Sequence, residues 1–364
     1  MISKQLILQA VLDKYGILGK VVEEKIVDGK VEYKVIRQPD RAGYSLKKHA
    51  KSIARHLGVE NMQISKLPEI NAYSILIPYK YVNQVNFDEI VNSHEFMNTE
   101  SVLPMIVGKD PLGRTLIDDI TKMPHLLLGG TSDYRRCIFI DSIILSILHK
   151  FSCNDVKLIL MSPDTGVRKN PLSLTDYDGI SHLAYPVISD TKEAFKALDF
   201  LCTLVKQTIG FDGKRQKMPY TIVIIDEFAD MMKSNKNEFE KAISFLGKKA
   251  RAAGVQLVLS TQVLKNHIIT DTIKTYFPSR VAFKTQDANC SRLILDRSGA
   301  EYLLGGGDMM YLPISSPHPL RVQCPYVPMQ KIKTYVDNAR KVITPPDSLG
   351  MSKSMNKVQW GGLL

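Results

Sequence analysis

The sequence predicts an α/β protein with a parallel, doubly wound core preceded by a smaller α+β unit. Three observations carry that prediction. Residues 221–225 (TIVII) are consecutive β-favouring residues with no charged face, as in a strand buried on both sides of a parallel sheet. From Leu103 onward, similar runs alternate with helical stretches, the pattern that crossover connections produce. The first hundred residues differ, reading as alternating strands around one amphipathic helix. The expected divisions are an α+β unit at 1–104, the core at 105–341 and a flexible tail at 342–364.

In the N-terminal unit, VEYKVIR (31–37) alternates as a strand and NAYSILIPYK (71–80) returns to one. Between them a helical stretch opens at Tyr44, with Ser45 able to cap it. It repeats apolar groups at Leu46, Ala50, Ile53, Ala54 and Leu57 and sets Lys47, Lys48, Lys51 and Arg55 elsewhere. Such a basic face either touches phosphate or, more plainly, is solvated.

In the core, strands are expected at 125–128, 156–161, 221–225, 255–260 and 280–284, with helices at 138–150, 192–206 and 237–253. The 221–225 strand ends in Asp226 and Glu227. Ligands of open α/β sheets bind at the carboxyl ends of strands, where an acidic pair can hold hydrated Mg2+ and polarise a water, the Walker B arrangement. The plainer alternative is a buried strand that meets solvent at an acidic loop. The neighbouring strand ends in Ser260, Thr261 and Gln262, and the Gln262 amide could sense a γ-phosphate or a water there. After Lys341, Pro345, Pro346, Gly350 and a Ser/Lys/Met run lack the periodicity to pack.

The composition sets bounds on the partners. A net charge of +11 over 364 residues favours a polyanion such as nucleic acid, although excess lysine also serves solubility. The five cysteines are scattered without CxxC spacing, so neither a disulfide framework nor a zinc site is expected. No stretch approaches membrane-spanning length and the N-terminus lacks a cleavable-signal pattern, so the expected location is the cytoplasm, with no membrane partner.

Six segments together resemble the motor of FtsK/SpoIIIE DNA translocases: GKDPLGR (108–114), KMPHLLLGGT (122–131), VIIDEFADMM (223–232), KKARAAGVQLVLSTQ (248–262), FPSRVAF (277–283) and SRLILDRSGAEYLLGGGDMMY (291–311). The resemblance implies a RecA-like P-loop NTPase core that uses ATP and Mg2+. It also implies a ring, usually hexameric, with double-stranded DNA in its channel and ATP at subunit boundaries. On that pattern Asp226 holds the metal, Glu227 activates water and Gln262 senses phosphate. Arg251 and Arg280 are then candidates for contacts across the boundary, and Lys265, His267 and Lys274 for DNA. Structural arginines and a solvated loop are the plainer readings of those residues.

The chain departs from the family at its phosphate loop. A working GxxxxGK[ST] loop needs glycine where backbone curls round phosphate, lysine for the β and γ oxygens, and a hydroxyl for Mg2+. Here the stretch reads Gly130, Thr131, Ser132, Asp133, Tyr134, Arg135, Arg136, Cys137. Asp133 and Arg135 stand where the family has glycines, Arg136 for lysine and Cys137 for the hydroxyl residue. A β-carbon obstructs close approach, a planar fork does not reproduce a compact ammonium, and a thiol is a poor ligand for a hard cation. MSPDTG (161–166) stands where the family has Asp-Pro-Lys, and 204–220 is short of the family's arginine-rich helix. Asp226 and Glu227 remain, either to hold a metal or because Asp226 caps backbone and Glu227 pairs with an arginine.

Three readings follow. One is an active translocase with a non-standard loop. The next is a subunit with impaired or absent ATP hydrolysis that binds DNA or a partner, in a homo-oligomeric ring or one mixed with an intact relative; this is the expectation taken forward. The third is a structural protein that keeps only the fold. No winged-helix domain is visible after Lys341 and no anchor precedes the core, so recognition of polar DNA sequences and septal attachment are not expected.

Overall fold

The computed structural model describes residues 4–15, 17, 19–27, 30–37, 46–57, 62–67, 72–78, 85–131, 133–162, 173–209 and 218–341. The expected helix start at Tyr44 and Ser45, Asp164 of the MSPDTG segment and the tail at 342–364 lie outside these residues. The chain forms two compact units, Met1–Asn83 and Gln84–Leu364.

The first unit contains α1 (Lys4–Lys14), β1 (Gly19–Val27), β2 (Lys30–Arg37), a 3-10 turn (Leu46–His49) leading into α2 (Ala50–Leu57), β3 (Gln63–Leu67) and β4 (Ala72–Pro78). Its antiparallel sheet has the order β1-β2-β4-β3. Alternate residues of the inner strands, Tyr33 and Val35 on β2 and Tyr73, Ile75 and Ile77 on β4, bury against Leu8, Leu12, Leu46 and Ile53 of the helical segments. Lys48 and Lys51 are exposed, as the helical period requires.

The second unit begins with α3 (Phe87–Val91), α4 (His94–Met97), β5 (Pro104–Lys109), β6 (Thr115–Asp119), β7 (Leu126–Gly129), α5 (Asp133–Lys150), β8 (Val156–Met161) and α6 (Thr191–Thr208). It continues with β9 (Tyr220–Asp226), α7 (Ala229–Lys249), a 3-10 turn (Ala250–Ala253), β10 (Val255–Thr261), α8 (Asp271–Tyr276), β11 (Ser279–Phe283) and α9 (Ala288–Leu295). β12 (Asp308–Leu312), β13 (Leu320–Gln323) and α10 (Met329–Arg340) close it. Phe87, Ile90, Val91 and Phe96 bury in the core of this unit, which begins at Gln84, ahead of the division expected after residue 104.

Among the described residues the large sheet has nine strands, in the order β6-β5-β13-β12-β11-β7-β10-β9-β8. The five expected strands are adjacent and parallel, from β11 to β8. Four further strands, β12, β13, β5 and β6, extend the sheet antiparallel and were not anticipated. Alternation along β9 builds the layers. Ile222 and Ile224 share a core with α5 residues such as Phe139 and Ile143, whereas Val223 and Ile225 share one with α6 and α7. The doubly wound arrangement brings the carboxyl ends of β7, β9 and β10 together beside the start of α5.

Candidate functional site

β9 stops at Asp226, which is buried and lies in parallel register opposite Ser260 of β10. Glu227 follows at φ 57°, a left-handed conformation that side-chain-bearing residues rarely adopt. The turn is fixed on both sides. The Phe228 N–H donates to the Ser260 carbonyl at 3.1 Å, and the Phe228 ring stacks on Phe239 with centroids 5.9 Å apart.

That backbone aims the Glu227 carboxylate at the end of β10. Its Oε1 accepts from Thr261 Oγ1 at 2.6 Å, and its Oε2 accepts from the Gln262 backbone N–H at 2.9 Å. Arg136 Nη2 lies 3.4 Å from the same Oε2. Both partners are interior, Arg136 at 2% exposure and Glu227 at 7%. Burial pushes the Glu227 pKa up; the Arg136 guanidinium and the bonds from Thr261 and Gln262 oppose that push, while Asp230 adds to it.

The phosphate-loop segment is held by packing against β11 and α9. A β-carbon at Gly129 would meet Ile294 Cδ1 at 2.4 Å, and one at Gly130 would meet Phe283 Cβ at 2.7 Å. Thr131 donates twice to the Lys284 carbonyl, from its backbone N–H at 3.2 Å and from Oγ1 at 2.9 Å. Ser132 lies outside the described residues, and Asp133, Tyr134 and Arg135 are described as backbone in the first turn of α5. Cys137 is buried. No group of three or more His, Cys, Asp or Glu side chains among the described residues could hold a metal ion.

The structure separates the remaining candidates. Gln262 supplies its main-chain N–H, and its side chain is exposed. Arg251 sits at the opposite, amino edge of the sheet, where its Nε donates to the Thr121 carbonyl at 3.1 Å, one β10 length or roughly 20 Å from Glu227. Arg280 is buried and structural: it donates to the carbonyls of Phe277, Ile294 and Lys274 and pairs with Asp296.

Lys265 and His267 are exposed on the loop after β10, while Lys274 pairs with Asp271 and Asp296, each at 3.2 Å. Lys274 lines an open cleft with Asn266, Asn289, Arg292, Leu293 and Asp296. Sequence reasoning missed Arg292 because its setting forms only when the loop after β10 meets α9. Thr261 was seen as part of a polar strand end, without its bond to Glu227.

No helix among the described residues is long and apolar enough to cross a membrane. The FtsK/SpoIIIE family profile matches residues 87–211. The DNA translocase FtsK of Clostridium acetobutylicum is 33% identical over 355 residues, covering 92% of this chain and 45% of that protein. The DNA translocase FtsK of Borreliella burgdorferi is 33% identical over 368 residues, covering 94% and 46%. The chain therefore spans a little under half the length of these relatives.

Among solved structures, the pCW3 conjugation coupling protein TcpA, in a monomer form with ATPγS, superimposes with a TM-score of 0.62 at 17% identity, covering 93% of this chain and 99% of that one. The cytoplasmic domain of the type VII secretion ATPase EccC of Thermomonospora curvata gives 0.59 at 17% identity, covering 73% and 36%. At such identities the likeness is one of fold, that of the P-loop ATPases. The profile match, and the 33% identity to FtsK translocases along more than nine-tenths of the chain, show that the chain belongs to the FtsK/SpoIIIE family.

Proposed function

We propose that this chain is a DNA-binding ring subunit of the FtsK/SpoIIIE type whose ATP hydrolysis is impaired or absent. The observation behind the proposal is the buried Arg136–Glu227 pair. The family pattern assigns the residue at 136 to the triphosphate and Glu227 to the attacking water; here they meet each other. Breaking a buried pair by withdrawing one partner costs about 3–5 kcal/mol, which a nucleotide drawing Arg136 away would have to supply. The interior Cys137 thiol offers a soft ligand where Mg2+ takes hard oxygen. Mg-ATP does not fit this donor set, so no hydrolytic step is derived through it.

Support for DNA comes from the net charge of +11, from Lys265 and His267 exposed on the loop after β10, and from Lys274 and Arg292 in the adjoining cleft. The name shared by the FtsK relatives agrees with that partner. The ring is homo-oligomeric or mixed with an intact relative, and a mixed ring would leave hydrolysis to the relative.

The test is phosphate release from Mg-ATP with and without duplex DNA, for the wild type beside Glu227→Gln. The expected result is no DNA-stimulated turnover above the variant. DNA-stimulated turnover that Glu227→Gln abolishes would overturn the proposal and establish an active translocase with a non-standard loop.

A further inference from the structure

We infer that Glu227 is a positioning residue for nucleic acid, acting through the turn at 261–263 that launches the loop at 262–270. The inference rests on the DNA reading above and gives the acidic residue a role that needs no nucleotide.

The bonds run in one direction along the chain. Glu227 Oε1 takes the Thr261 hydroxyl proton, and Thr261 Oγ1 in turn accepts the Val263 N–H at 3.0 Å. Glu227 Oε2 takes the Gln262 N–H. Three successive residues are thus fixed, directly or through one hydroxyl, by a single carboxylate. Beyond them the loop closes on itself, with Lys265 N–H donating to the Val263 carbonyl and the Ile268 and Ile269 N–H groups donating to the Lys265 carbonyl. Leu264, Ile268 and Ile269 are buried, which leaves Lys265, Asn266 and His267 at the crest, all exposed. The crest is therefore anchored by apolar feet and, at its near end, by Glu227.

Arg136 explains how a carboxylate can serve as that anchor inside the protein. It supplies the counter-charge from α5, so the acceptor stays buried beside a cation and not alone. The Arg136–Glu227 pair joins the start of α5 to the loop after β10, and so the phosphate-loop region to the proposed DNA surface. Removing the acceptor frees two hydrogen bonds at the loop's root. Lys265 and His267 keep their charges but lose their fixed posture.

Two variants with the same charge isolate the acceptor. Arg136→Met/Glu227→Ala removes the pair and the acceptor together; Arg136→Met/Glu227→Gln removes the pair and keeps an amide oxygen for the Gln262 N–H. Affinity for a duplex oligonucleotide is read by fluorescence anisotropy over a salt series, on proteins shown by circular dichroism to be folded. The alanine variant is expected to bind roughly tenfold more weakly with the same salt slope, and the glutamine variant to recover part of that loss, since its one amide oxygen still accepts the Gln262 N–H. Lys265→Ala is the contrast and should reduce the slope by about 0.9.

Equal affinity of the two double variants and the wild type overturns the inference. So does a loss in the alanine variant accompanied by a smaller slope, because that reports a lost ionic contact and not a lost posture. If the wild type itself does not bind duplex DNA at low salt, the DNA reading has failed first, and the two failures are told apart.

Discussion

The two halves of the candidate nucleotide site have fared differently. On the strand side, Asp226, Glu227, Thr261 and Gln262 keep the placement expected of an acidic strand edge, and Glu227 is satisfied by protein groups from β10 and α5. On the helix side, Thr131 is stitched to the end of β11, and Arg136 and Cys137 are turned into the interior. The difference teaches that an acidic strand edge can persist for reasons internal to the fold. Its carboxylate needs a cation and hydrogen-bond donors, and a neighbouring helix can supply what a nucleotide complex otherwise would.

The sharpest attack on that comparison is Glu227→Ala alone. It strands Arg136 in the interior, and unfolding in denaturant should report a loss of about 3–5 kcal/mol, while Arg136→Met/Glu227→Ala should lose much less. Similar losses for the single and double variants would show that the halves are independent.

The amino ends of the same strands provide a reference that involves neither half. His125 is buried there, its Nδ1 accepting the Leu257 N–H at 3.1 Å, and its pKa is pushed down from 6.5 to about 4, chiefly by burial with Arg251 adding to the effect. The unfolded chain takes up a proton near pH 6.5 that the folded chain refuses until about pH 4. Stability should therefore be fully present above the upper value, fall by about 3 kcal/mol as the pH drops through that window, and level off below it. His125→Asn should flatten this part of the profile; an unchanged profile would remove His125 as its cause.

The smallest effect is expected at Gly130→Ala. The added carbon meets Phe283 at 2.7 Å, so the cost should be that of overpacking, about 1–3 kcal/mol in the same unfolding measurement. Duplex affinity should not change. A variant as stable as the wild type would mean that packing does not hold this end of the loop.

The parallel half of the sheet was legible because doubly covered strands read as continuous apolar runs, as in TIVII at 221–225. The antiparallel half was not. β13 is LRVQ, short and polar, and its Arg321 is buried because Asp308 of β12 receives it bidentately, at 2.9 and 2.6 Å. Nothing local in either strand signals that exchange.

The acidic turn after β9 and the polar end of β10 could be read from the sequence, as could the altered residues at 135–137. That Glu227 pairs with an arginine was one of two stated alternatives. Which arginine could not be read, because Arg136 and Glu227 are 91 positions apart and meet only after α5 and β9 have packed. Arg280 shows the opposite limit, since a boundary contact and a structural role are equally open from sequence, and its carbonyl partners supply the structural one.

Gly130 bears on what a glycine at a phosphate-loop position can testify to. Because a β-carbon there would crowd Phe283 whether or not a ligand ever arrives, packing alone gives this position a reason to be glycine. Its presence is no witness to a bound phosphate.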